Sequence, residues 1–200
     1  SGTFNSVLLF VAFNHIAIGT SYFLLYASMI GTGFIFGRMV FNEKITIQKI
    51  IGLCLSISGL LIIYFLDIKT SNIIYTIFAL SAGVMVGMWN VFSKKISGLY
   101  ANSQLVFIDA ATSFFVGILG GFVLTEKVPQ LAFSTPWIAI FIWAAVQLVA
   151  NGFTIYGFKK LEAQTASIIM PMEVLFGTLF GFLFFKQVLP ATTLIGGLLI

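Results

Sequence analysis

The chain has 200 residues, 60% of them hydrophobic, with only 10 basic and 6 acidic side chains. A soluble domain carries about a quarter charged residues, and a disordered one has few hydrophobic residues and many charges, so both classes are excluded and an integral membrane protein remains. The net charge of +4 would suggest nucleic acid in a soluble protein, but here the surplus lies in short loops, where membrane orientation accounts for it.

A bilayer core of roughly 30 Å takes about 20 apolar helical residues. The chain opens on a shorter apolar run, 6–14, which reaches only about 15 Å at helical rise. Six full-length spans follow, over 16–41, 45–66, 73–93, 103–125, 137–158 and 163–185, separated by short polar breaks. The last run, 190–200, is again about half a span. Both end runs read as halves of interrupted helices, so the sequence is expected to be an internal piece of a longer membrane protein. The first run continues straight into the next span without the basic start and cleavage site of a signal peptide.

Arg38, Lys44, Lys49, Lys94, Lys95, Lys159 and Lys160 fall at alternate breaks, against Lys69, Lys127 and Lys186 at the others. The positive-inside rule therefore places the 42–44, 94–102 and 159–162 loops in the cytoplasm. Trp137 and Trp89 sit near span ends, as interfacial anchors do. Cys54 stands alone in an apolar stretch, which allows neither an internal disulfide nor a structural zinc site and makes it a small apolar filler. His15 falls at an outer turn and is expected to be solvated.

The segment 30–52 repeats at 174–196. Gly33, Phe36, Gly37, Phe41, Ile51 and Gly52 coincide with Gly177, Phe180, Gly181, Phe185, Ile195 and Gly196, an offset of 144. Apolar matches are cheap in this composition, so the three glycine coincidences carry the weight. The offset steps over five spans, and an odd number inverts the second copy across the membrane. Inverted repeats are a mark of secondary transporters, whose similar halves exchange inward-open and outward-open states.

The strings MIGTGFIFGRMVFNEKITIQKIIGLCLSISGLLIIY and LEAQTASIIMPMEVLFGTLFGFLFFKQVLPATTLIGGLLI resemble the two repeat regions of the EamA-type drug/metabolite transporter superfamily. The resemblance implies an all-α polytopic membrane helix bundle of inverted five-helix repeats. The full protein would have ten helices, truncated here at both ends. Residues 1–66 would hold a partial third helix with the fourth and fifth; residues 73–200 would hold the sixth to ninth and a partial tenth. Two positions depart from the family pattern. Gln187 replaces, in the second copy, the acid that Glu43 supplies in the first, and Val174 rather than proline follows Glu173, with Pro171 just upstream.

Glu173 is the sharpest candidate, since a carboxylate near mid-membrane is costly and faces a cavity or a partner. It suits a proton or the cationic part of a solute; the bland alternative is a hydrogen-bonded structural glutamate. Ala166, Met170, Glu173 and Gly177 share a stripe, and the repeat sets Tyr22, Tyr26, Met29 and Gly33 on the equivalent one. Asp109 is either a second proton site or a structural acid capturing a donor such as Asn90. Gln147 and Asn151 face together, one turn from Trp143, as ligand amides or as interhelical glue. Trp89 and Asn90 complete the expected cavity lining. Gly33, Gly37, Gly177 and Gly181 are expected to be close-packing sites.

The expected activity is alternating-access transport of a small organic metabolite or drug, with a proton gradient if Glu173 titrates. No catalysis, metal or cofactor is expected. All ten basic residues lie in or near loops, which favours a neutral, zwitterionic or cationic solute over an anion. Sugar-phosphate or nucleotide-sugar carriage within the same superfamily is the runner-up, and a non-transporting scaffold is the reading of another class. The expected partners are the solute, the bilayer and, where the assembly is a homodimer, a second copy; nucleic acid is not among them. The expected location is a bacterial inner membrane, crossed many times.

Overall fold

The computed structural model describes residues 2–65, 72–123, 135–186 and 190–200; the expectations at Lys69, Lys127 and Gln187 lie outside them. The described residues form helices only. In chain order these are α1 (Gly2–Phe13), α2 (Ile18–Phe41), α3 (Ile47–Tyr64), α4 (Ile73–Ile96), α5 (Asn102–Val123), α6 (Thr135–Lys160), α7 (Ala163–Ile169), α8 (Met172–Phe185) and α9 (Ala191–Leu199). Six segments are long and apolar enough to cross a membrane: α2 to α6 and the combined run of α7 and α8. Each matches an expected span to within three residues at either end.

The polar punctuation starts and stops these helices. Thr46 Oγ1 accepts the Lys49 amide ahead of α3, and Asn72 Oδ1 accepts the Ile74 amide at 3.1 Å ahead of α4. At the ends of α2 and α8, Asn42 and Lys186 turn left-handed, with φ 52° and 54°. Each donates its N–H to the glycine carbonyl five residues back, at Gly37 and Gly181. The two caps are 144 positions apart, as are the first residues of α3 and α9. The backbone thus repeats with the period of the glycines.

Pro171 divides the sixth span. Proline has no N–H, and its ring collides with the carbonyl four residues back, so the helix cannot pass through it unchanged. The chain closes instead through three-residue steps, Glu173 N to Met170 O at 3.1 Å and Val174 N to Pro171 O at 2.9 Å. The stripe expected to run unbroken from Ala166 to Gly177 is interrupted there, and Glu173 falls in the first turn of α8.

The central packing joins α2 to α4 on one side and to α7 and α8 on the other. Gly83 and Gly87 of α4 lie against Leu25, Ser28, Met29 and Thr32 of α2 so closely that a β-carbon would collide with backbone carbonyls. The partner numbers rise together, so these helices are parallel. Against the sixth span the order reverses: Tyr26 meets Glu173, Gly33 meets Ser167, Gly37 meets Gln164 and Glu43 meets Ala163. The repeat-related helices therefore run antiparallel, as an inverted duplication requires. α3 and α9 also cross antiparallel, with Gly59 and Gly196 each against the other's carbonyl. The core fills with Leu25, Tyr26, Met29, Ile30, Phe34, Leu60 and Ala82.

α5 and α6 bury little: Leu105 from one, Ile155 and Phe158 from the other. Their Phe114, Phe122, Trp143 and Phe153 point outward and suit lipid contact. Cys54, expected as a small apolar filler, is exposed on α3.

Candidate functional site

The polar residues gather in three places. The first is between the repeats at mid-span. α2 carries Tyr22 and Tyr26 one turn apart with rings stacked at 6.1 Å between centroids, and Phe13 of α1 closes on Tyr22 at 5.2 Å. Tyr26 is 4% exposed, and its hydroxyl donates to Glu173 Oε1. Pro171 makes this meeting work, because the broken helix sets the carboxylate on the first turn of a new segment. The tyrosine and carboxylate stripes therefore meet directly. Such a pair can hold a proton, or an ammonium group that takes the place of the phenol.

The second cluster is a polar chain across α4, α5 and α6. Gln147 Nε2 donates to Asn151 Oδ1 at 3.4 Å, and Asn151 Nδ2 donates to Asp109 Oδ2 at 3.4 Å. The Trp89 indole N–H is directed at the same carboxylate. Helical rise puts Asp109, Trp89 and Asn151 about 10–13 Å from the nearer ends of their helices, a common depth. Asn90 is not part of it, which corrects the expected Asp109–Asn90 pairing. One residue turns a helix by about 100°, so Trp89 faces α5 while Asn90 faces inward. Asn90 is 1% exposed, and its Nδ2 has no hydrogen-bond partner among the described residues. Trp89 is likewise turned to the acid rather than standing as an interfacial anchor.

The expected single cavity is thus two separate groups. No described contact links Tyr26 and Glu173 to Asp109 and Asn151. A hollow of about 470 Å³ is apolar and lies on α6 alone, against Ala145, Val146, Val149, Ala150 and Phe153. It belongs to the outward face rather than to either polar group.

The third cluster was not anticipated, and it is the most densely bonded. Glu43, beyond the end of α2, is 7% exposed. Its Oε1 accepts the Ala163 amide at 2.6 Å and the Lys94 ammonium at 2.9 Å; its Oε2 accepts the Gln164 amide at 3.0 Å. It thereby caps the first turn of α7, where N–H groups have no intrahelical partner. Burial pushes its carboxyl upward, but these two amides and the ammonium outweigh it and leave the pKa lowered from 4.5. Lys94 also donates to Leu161 O at 2.6 Å and lies 4.8 Å above the Phe41 ring. Lys49 bridges Glu162 at 2.6 Å and Gln164 Oε1 at 2.8 Å, and Gln164 Nε2 reaches Phe34 O at 3.3 Å. These bonds join the start of the second repeat's broken span to α2, α3 and α4 at the lysine-rich end. The signal in the sequence was Glu43 among basic residues at a span end; its partners lie too far along the chain to be read there.

The four candidate glycines divide. A β-carbon on Gly33 would overlap the Ser167 side chain, and one on Gly37 would press on Glu43 and Gln164. Gly177 has nothing within 4 Å of such an atom, whereas Gly181 is buried and gives its carbonyl to the Lys186 cap. His15 is exposed and stacks on Tyr75 at 3.8 Å.

Comparison with known proteins adds one match. The sequence model of the EamA-like transporter family covers residues 73–200, from the start of α4 through α9. No curated protein and no solved structure matches the chain.

Proposed function

Because the chain belongs to the EamA-like transporter family, we propose that it is part of a secondary carrier that moves a small organic solute by alternating access, with Glu173 as its proton- or cation-binding group. Residues 1–66 then belong to the first repeat and 73–200 to the second. The observation that carries the reading is the Tyr26–Glu173 hydrogen bond, which joins the repeat-related antiparallel helices α2 and α8 at mid-span. Sites in inverted-repeat transporters lie near the midplane where such broken helices meet. Loading the carboxylate with a proton or a cation competes with the phenol, and this ties occupancy to the contact between the halves.

The lysine-rich end faces the cytoplasm by the positive-inside rule, and the Glu43 cluster acts as its gate. With the capping bonds made, α7 is fastened to α2, α3 and α4 and that end is shut. Inward opening requires Glu43 to release the α7 amides. The described basic residues lie at helix ends rather than at mid-span, which supports a neutral, zwitterionic or cationic solute. No step requires covalent chemistry, so the protein is read as a carrier and not as an enzyme.

The test is solute uptake into proteoliposomes holding the full-length protein, over a panel of amino acids, amines and neutral metabolites, across a pH series. Solute-specific flux separates a carrier from a scaffold. E173Q is expected to lower that flux at least about tenfold, the scale of one lost charge-assisted bond, and to flatten its pH dependence. Unchanged flux with an unchanged pH profile removes the carboxylate from the mechanism.

A further inference from the structure

Seven cations crowd the lysine-rich end, but only two acids, Glu43 and Glu162, stand with them among the described residues. Both acids are taken, one by Lys94 and the other by Lys49. Beside them a hollow of about 370 Å³ opens at the end of α2, lined by Arg38, Lys44 and Ile45. The Lys44 ammonium has no described partner, and the Arg38 guanidinium makes one described bond, Nη1 to Glu43 O at 3.3 Å. Most of the donors in this hollow are therefore unused. Arg38 also shares a helix face with Ile35 and Met39, which are 58% and 70% exposed. That stripe is exposed among the described residues, in the last two turns of a membrane-spanning helix.

We propose that this hollow binds the phosphate of an anionic phospholipid, with Arg38 and Lys44 as its cations and Ile35, Met39 and Ile45 against the first carbons of the acyl chains. A guanidinium offers a planar fork to phosphate, and the ammonium adds a second charge. Among the described residues the acids at this end are already paired with Lys94 and Lys49, whereas the ends of membrane spans meet a layer of anionic headgroups. A soluble anion would meet the same cations without using the apolar stripe, so the flank selects the lipid. Arg38 bonds the carbonyl of Glu43, which places the headgroup beside the capping cluster.

Native mass spectrometry of the intact protein, titrated with equal amounts of phosphatidylglycerol and phosphatidylcholine, tests this. The protein is expected to retain phosphatidylglycerol about tenfold over phosphatidylcholine, from two partly screened cations. R38Q/K44Q is expected to bring the two lipids to parity, and R38K/K44R to keep most of the preference. K95Q/K159Q removes the same charge elsewhere on this end and is expected to change nothing. K44Q alone alters an exposed loop side chain with no described partner, so it reports even where the double variant folds poorly; a loss of about threefold is expected. Unchanged retention in R38Q/K44Q or K44Q overturns the proposal. So does an equal loss in K95Q/K159Q, which would mean diffuse surface charge, and so does full displacement by excess inorganic phosphate, which would mean a site for soluble anions.

Discussion

Glu43 does more than its position in a loop would suggest, because a single carboxylate there satisfies two helix-end amides and an ammonium. Its folded pKa is lowered from 4.5, so its contribution is complete above that value and is lost as the pH falls through the lowered one. At neutral pH the cluster is closed, and acidification below the ordinary carboxylate range loosens it. E43Q is expected to mimic that loosening at pH 7. Charge-assisted bonds contribute about 1.5–3 kcal/mol, so hydrogen exchange at the Ala163 and Gln164 amides should rise at least about tenfold. An unchanged exchange rate would mean that other contacts hold α7. The sequence showed an acid at 43 and amides near 164, but not that they touch, because 120 positions separate Glu43 from Ala163. Tyr26 and Glu173 lie further apart still, at 147 positions, yet were set on equivalent stripes. The difference is the repeat: symmetry carries information across distance, whereas a cap from a foreign loop leaves no periodic trace.

Among the elements, the sixth span shows how composition and packing divide the work. Its length and hydropathy made it a membrane helix, and Pro171 made it two helices, a break that follows from the missing N–H and needs no partner to explain it. Contacts between helices were harder to read. Gly33 and Gly177 are equivalent in the repeat, but only Gly33 is pressed against a neighbour, Ser167. G33A is expected to destabilise the protein by about 1–3 kcal/mol, through overpacking at that crossing. G177A should be neutral or slightly stabilising, since alanine is the better helix former by up to about 1 kcal/mol. Thermal unfolding in detergent compares the two, and equal losses would contradict this division. The pair Gly83 and Gly87 carries the α2–α4 crossing and shows the same small-residue spacing in the sequence. It has no counterpart in the repeat, so coincidence between copies does not reveal it.

For the whole molecule, the count of spans and the inverted relation of the halves were legible, because both rest on length, hydropathy and an offset. The separation of the polar candidates into distinct groups was not, since it depends on how the helices are rotated about their axes. If the Glu43 cluster is the inner gate, spin labels at N42C and L161C should give a short distance in the full-length protein without solute. Adding a transported solute should bring a longer population, and E43Q should enlarge that population in its absence. A single unchanged distance would sink the gate. The left-handed caps at Asn42 and Lys186 set a demand that the two side chains meet unequally. The same bend closes both copies on different side chains, an amide in one and an ammonium in the other. Asparagine tolerates that conformation better than lysine does, and glycine better than either. K186G should therefore raise the melting temperature more than N42G, because lysine is the less suited of the two to this joint.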